Sequence, residues 1–192
     1  LKQLDFCGRG CSAGPVDILV AIGTGTIHEL TRYCAAEYGI PFVSVPTAAS
    51  GDSFATAVAA ITWDGMKKTF PAVAPEWILA DTDIFSKAPY RLTAAGISDL
   101  MGTYTALIDW KVANLLTGEY ICPEICNLQE EMIKNTEREL DDIRDRDTES
   151  MEKLMYALIL SGLHMQMAGT SRPISGAAHH VAHLLDMETA DY

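Results

Sequence analysis

In the first half of the chain the apolar positions fall in short unbroken runs, and in the second half they recur every three or four residues. That change of period predicts an α/β part followed by an all-α part. The run DILVAIG, Asp17 to Gly23, reads as a strand that ends in glycine. The amphipathic segment IHELTRYCAAEYG follows, with Thr24 or Thr26 as its cap and Gly39 as its close. PFVSVP is the next strand, so the three form a βαβ unit, for which a right-handed crossover in a parallel sheet is the expected geometry. AVAAITWDGMKKTF differs: two β-prone runs flank Asp64-Gly65, a dipeptide suited to a tight hairpin turn. WILADTDIF reads as a further buried strand. From about Thr93 helices take over: TAAGISDLMGTYTALIDWKVANLL, a charged segment from Glu124 to about Asp145, and the apolar MEKLMYALILSGLHMQMAG, expected at the centre of a helical domain. Pro89 marks the boundary, which divides the chain at residues 1–90 and 91–192. No internal repeat is visible.

Composition narrows the class. With 192 residues, 48% of them hydrophobic, the chain can bury a substantial core as one large domain or two small ones. A net charge of -12 argues against a general affinity for nucleic acid or anionic membrane, since phosphate binding rests on clustered Lys and Arg. The five cysteines, Cys7, Cys11, Cys34, Cys122 and Cys126, are odd in number and form no paired CxxC pattern, which fits reduced thiols in a cytoplasmic protein. No signal peptide and no bilayer-length apolar run is present. The chain opens on Leu1 instead of Met, which suggests part of a longer polypeptide.

Two stretches carry candidate chemistry. SRPISGAAHHVAHLLDM, Ser171 to Met187, should be helical, and helical spacing puts His179 and His183 on one face with His180 turned aside. Two histidines do not make a metal site that activates a substrate; a carboxylate is needed from elsewhere. The loop GTGTI, Gly23 to Ile27, lets the backbone approach a ligand, and free amides at the following helix start favour phosphate oxygens. PTAASGDSF, Pro46 to Phe54, ends the next strand and should border the same crevice. Within it, Asp52 reads either as a chemical group or as a helix cap.

The segments GTGTIHELTRY, IPFVSVPTAASGDSFATAVAAIT, DGMKKTFPA, ISDLMGTYTALIDWK and LILSGLHMQMAGTSRPISGAAHHVAH occur in the order and spacing of glycerol-1-phosphate dehydrogenases, which the chain resembles over nearly its whole length. That family shares a superfamily with glycerol dehydrogenase, iron-containing alcohol dehydrogenases and 3-dehydroquinate synthase. The resemblance implies a dehydroquinate synthase-like architecture. Its Rossmann-like parallel sheet, incomplete here, carries a β-hairpin and precedes an all-α domain. It also implies truncation at both ends: further nucleotide-domain strands, with the residue that reads the cofactor ribose, precede Asp17, and a third ligand histidine follows this chain. Residues 1–90 would then belong to the nucleotide-binding domain and 91–192 to the helical metal- and substrate-binding domain.

Carried over residue by residue, the resemblance makes Asp99 and His179 metal ligands, with His183 a pocket neighbour on a proton path. Gly23, Gly25 and Thr26 would contact the cofactor pyrophosphate, Thr47 and Ser50 would lie along the cofactor toward the nicotinamide, and Asp52 would hydrogen-bond a substrate hydroxyl. Lys68 and Arg172 are the candidates for the substrate phosphate, because a fixed cation or a bidentate guanidinium is what a phosphate requires; otherwise they are a solvated hairpin lysine and an arginine bracing a helix start. The chain departs from the family pattern at Glu29, Ser98, Thr103 and Ala178, none of which is an implied ligand. The implied activity is metal-dependent interconversion of dihydroxyacetone phosphate and glycerol 1-phosphate with NAD(H) or NADP(H). Zinc is the first choice of metal, with iron and nickel chemically suitable. The expected partner is a small phosphorylated triose or polyol, without nucleic acid or membrane insertion, in a cytoplasmic homo-oligomer. Alternatives are a glycerol or other polyol dehydrogenase, a dehydroquinate synthase-like enzyme, or an inactive fragment of such an enzyme.

Overall fold

A computed structural model of the chain describes residues 16–64 and 66–189. Cys7 and Cys11 lie outside them, as does Gly65 of the expected hairpin turn. Strand β1 (Leu19–Gly23) leads into helix α1 (Gly25–Tyr38), and β2 (Phe42–Pro46) follows. β1 and β2 pair in parallel, Leu19 opposite Phe42 and Gly23 opposite Pro46. Gly39 closes α1 in the left-handed conformation at φ 63°, which glycine adopts without penalty. Leu19, Ala21, Ala35 and Phe42 pack where the helix covers one sheet face. Thr24 is the cap position, but its side chain makes no capping bond.

β3 (Val58–Trp63) and β4 (Met66–Pro71) form the antiparallel hairpin, with Asp64 at φ 50° in its turn. The segment expected as a buried strand at WILADTDIF is mostly something else. Only β5 (Trp77–Ile78) pairs, in parallel with β2, and Trp77 is exposed. Asp81 then accepts the Asp83 amide at 2.9 Å and starts the short helix α2 (Thr82–Phe85), because an Asx cap competes successfully with continued strand.

The remainder is helical: α3 (Tyr90–Thr117), α4 (Pro123–Arg138), α5 (Leu140–Arg144), α6 (Thr148–Ala168) and α7 (Ala177–Thr189). The charged segment after Glu124 is thus two helices, broken at Glu139. Trp110, Leu100 and Leu107 of α3, Ile125 and Ile133 of α4, and Met151, Leu154 and Leu158 of α6 make the core, so α6 is central as its apolar pattern implied. The expected helix around the histidines begins only at Ala177, after the turn at Ser171–Gly176. No described helix is long and apolar enough to cross a membrane.

A buried polar chain ties α4 to α6. The His164 ring donates through Nδ1 to Gln129 Oε1 at 2.6 Å, and Gln129 Nε2 donates to Ser161 Oγ at 2.8 Å. Burial holds the His164 imidazole below its ordinary value of 6.5. In the unfolded chain this histidine takes up its proton near pH 6.5, whereas the folded protein resists protonation until lower pH. The stability it contributes is therefore present above about pH 6.5 and is lost as pH falls toward the folded value. We expect urea midpoints to decline between pH 7 and 5.5, and the decline to shrink in His164→Asn; equal slopes would place the acid sensitivity elsewhere.

Candidate active site

Four elements converge on one cavity of about 1290 Å³: the N-terminus of α1, the loop after β2, and the facing sides of α3 and α7, with the hairpin as a further wall. The loop after β2 continues into a 3-10 turn, Ser53–Ala55, seated directly on α6. Gly162 of α6 permits this: a Cβ there would lie 2.7 Å from the Asp52 carbonyl oxygen. Gln166 of α6 also donates to the Ala55 carbonyl. Asp52 holds the cap position of that turn, but its side chain makes no capping bond. Its Oδ2 is buried and lacks a hydrogen-bond partner. Burial first, and then the nearby charges of Asp99 and Glu29, push the Asp52 carboxyl well above the usual range.

Asp99 sits on α3 beside that loop. Its Oδ2 accepts the Asp52 amide at 3.0 Å, and its Oδ1 lies 3.3 Å from His179 Nε2 on α7. A tetrahedral cation with ligand distances of about 2.1 Å spans roughly 3.4 Å between two ligand atoms, so this pair fits a shared metal. On the α1 side of the cavity, the first amides at Gly25 and Thr26 have no carbonyl one turn earlier to accept them. No acidic residue stands in that first turn, and a Cβ on Gly25 would meet only Ser53 Oγ at 3.6 Å. That is an open helix N-terminus suited to phosphate oxygens, and it fits a nucleotide.

A family model described as iron-containing alcohol dehydrogenase matches residues 7–89. Glycerol-1-phosphate dehydrogenase [NAD(P)+] of Bacillus licheniformis is 43% identical over 175 residues, covering 91% of this chain and 44% of the relative. The enzyme of the same description from Pyrococcus furiosus is 42% identical over 168 residues, covering 88% of this chain and 49% of its own. The chain is similar to glycerol-1-phosphate dehydrogenases. It spans about half the length of the curated relatives it matches. In fold it is similar to glycerol dehydrogenase from Schizosaccharomyces pombe, with TM-score 0.75 and 21% identity over 96% of this chain and 48% of that one. A probable glycerol dehydrogenase from Sinorhizobium meliloti gives TM-score 0.76 and 22% identity over 94% and 53%.

Of the residues that the family resemblance singled out, Gly25, Thr26, Ser50, Asp52, Asp99, His179 and His183 border the cavity. Gly23 and Thr47 do not line it. They join the two loops from behind, the Thr47 amide donating to the Gly23 carbonyl at 2.9 Å. Neither phosphate candidate faces the cavity. Register pairs Thr62 with Lys67 and Ile61 with Lys68, and strand alternation sends Lys67 and Thr69 inward and Lys68 outward, where it is exposed. Arg172 is committed elsewhere: its Nε and Nη2 each donate to a Glu119 carboxylate oxygen at 2.7 Å, just past the end of α3.

Sequence reasoning missed Lys67, His180 and the structural use of Glu29. His180 reaches the cavity rim although it is turned from the His179–His183 face. Glu29 accepts the Ala60 amide at 2.5 Å and pairs with Arg32 at 3.2 Å. Arg32, fully buried, donates onward to the Val58 carbonyl at 2.9 Å and to the Ser53 carbonyl. Together they lock the hairpin and the Asp52 turn to α1. The two-residue turn at Asp64-Gly65 was the available signal for Lys67, because it fixes which β4 residues share a face.

Proposed function

We propose that this chain carries the metal-facing and part of the nucleotide-facing surface of an NAD(P)-linked dehydrogenase that interconverts dihydroxyacetone phosphate and glycerol 1-phosphate. In this reading residues 1–90 belong to the nucleotide-binding domain and 91–192 to the helical domain that holds metal and substrate. The observation that carries it is the Asp99–His179 pair, 3.3 Å apart, with the unpartnered Oδ2 of Asp52 beside it, in a cavity that also receives the α1 N-terminus. Identity of 37–43% to curated enzymes of that activity supports it.

Asp99 and His179 would hold one divalent cation, zinc by preference, which would supply Lewis acidity at the carbinol oxygen, and a bound nicotinamide would supply the hydride donor or acceptor. Asp52 hydrogen-bonds a substrate hydroxyl and orients the triose against the metal-facing side. His183, one helical turn beyond His179 on the same cavity wall, relays the proton between the substrate oxygen and solvent. Gly25 and Thr26 receive pyrophosphate oxygens, Ser50 lines the path toward the nicotinamide, and Gly23 and Thr47 hold the two loops in register.

The test is cofactor oxidation by the full-length protein, after chelation and zinc readdition, with dihydroxyacetone phosphate against dihydroxyacetone. A marked preference for the phosphorylated substrate is expected. Equal rates would favour the second reading, a glycerol dehydrogenase, which has one observation behind it: Lys68 and Arg172 both stand away from the cavity.

Among the described residues, Lys67 is the lysine or arginine that lines it, and it takes the place of Lys68 as phosphate ligand. Lys67→Ala should lose a charge-assisted contact of about 1.5 to 3 kcal/mol, roughly ten- to a hundredfold in kcat/KM for dihydroxyacetone phosphate. Activity on dihydroxyacetone should barely change, and Lys68→Ala should affect neither. Equal losses on both substrates would remove Lys67 from phosphate binding.

A further inference from the structure

Helix α7 holds His179 with little help of its own. Val181, Leu184 and Leu185 are about half exposed or more, and the helix start offers no local side-chain cap because Gly176 precedes Ala177. The missing acceptor comes from another helix: Asp109 Oδ2 of α3 accepts the Ala177 amide at 2.7 Å. The approach is close enough that a Cβ on Gly176 would stand 2.5 Å from the same oxygen and 2.9 Å from the Ala106 Cα. Farther along α7, Gly102 of α3 leaves room for the His179 ring, whose Cε1 would lie 3.5 Å from a Cβ there.

These contacts form a pattern. Asp99, Asp109 and Glu119 lie ten residues apart, the first two on α3 and the third just past its end. Each holds one point of the segment that runs back along α3: His179, Ala177 and Arg172 in turn. A carboxylate at a helix N-terminus satisfies an orphan amide and opposes the positive end of the helix dipole. Asp109 thereby caps the first turn of α7, two residues before His179. Nothing in the Asp109 contact touches the ligand atoms; the effect passes through the helix.

We propose that Asp109 is a positioning residue, which caps α7 from α3 so that the His179 imidazole stays aligned with the Asp99 carboxylate. The proposal rests on the reading of Asp99 and His179 as a metal site. It accounts for an acidic residue on α3 that does not line the cavity, and for the glycines Gly176 and Gly102 where the α7 segment packs against α3.

The experiment uses the full-length protein, stripped of metal and titrated with zinc against a chelator of known affinity. His179→Ala, Asp109→Ala and Asp109→Asn are compared with wild type, with and without zinc. Asp109→Ala should bind zinc about 10- to 100-fold more weakly, the range for losing a group that orients a ligand. Asp109→Asn, which keeps an acceptor oxygen, should recover most of that loss. Amide exchange across α7 should accelerate in Asp109→Ala. A merely structural cap would lower Tm equally with and without zinc, whereas a positioning residue also shrinks the zinc-dependent rise in Tm. Unchanged zinc affinity in Asp109→Ala, or an undiminished zinc-dependent rise, overturns the proposal while His179→Ala still shows the site to be real. Equal zinc binding by wild type and His179→Ala would instead overturn the metal-site reading, and Asp109 would be left without a ligand to position.

Discussion

Replacing Asp99 with Asn, or His179 with Ala, should lower metal-dependent turnover of the full-length protein by more than about 100-fold, since losing a group that merely orients a ligand already costs 10- to 100-fold. The two substitutions act differently on the surrounding structure. Asn keeps an oxygen that can accept the Asp52 amide, so the bond now 3.0 Å long survives while the negative charge that attracts a cation is lost. His179 is partly exposed at the cavity wall and its ring abuts Gly102, so truncation leaves a gap beside solvent and no void in the core. Both variants should therefore unfold within about 1 kcal/mol of wild type in the metal-free state, the range for substitutions away from the core. Steady-state rates before and after chelation and zinc readdition, together with urea unfolding, check both halves. Near-normal turnover in either variant after zinc is restored would show that the cation, if one is bound, sits elsewhere.

The parts of the site that could be read from the sequence are those whose position follows from a local rule. A strand, a small-residue loop and a helix start at Gly23–Ile27 place free backbone amides without reference to anything distant, and Gly25 and Thr26 do border the cavity. Helical spacing likewise put His179 and His183 on one wall. Lys67 and Lys68 were interchangeable in composition, and only pairing register with the side facing α1 separates them; a one-residue difference sends the ammonium to the opposite face. Arg172 needed still more distant information, because its partner Glu119 lies 53 positions away and nothing in SRPISG announces it.

The same limit applies to the fold. The charged stretch after Glu124 carries buried Ile133 and Ile143 on two helices, and a long run of Glu, Asp and Arg has no apolar period to mark the break at Glu139. WILADTDIF looked apolar enough for a buried strand, yet Trp77 and Leu79 are exposed and only Trp77–Ile78 pairs. In both places neighbours from distant parts of the chain decide the outcome, and a window of a dozen residues does not contain them.

Glu29 and Arg32 extend that lesson into a second large effect. By spacing alone they form a solvated i, i+3 pair on an amphipathic helix, since an arginine is seldom fully buried. Here Arg32 has no exposed surface, and its guanidinium reaches α1, the Ser53 turn and β3 at once through Glu29, the Ser53 carbonyl and the Val58 carbonyl. Removing one partner of such a pair strands the other charge in a low-dielectric interior. Arg32→Met should therefore destabilise by about 3 to 5 kcal/mol. Arg32→Lys should not rescue it, because an ammonium cannot present the planar fork that serves one carboxylate and two carbonyls. Glu29→Met should be costly for the converse reason, leaving the guanidinium without its counter-charge. The double variant Arg32→Met, Glu29→Met should be markedly more stable than the sum of the two losses predicts, since it strands neither charge. Urea unfolding of the four proteins completes the cycle. Additive losses would mean that the two residues act through their separate backbone contacts and not as an ion pair; the Asp52 turn and the hairpin would then be held to α1 independently of each other.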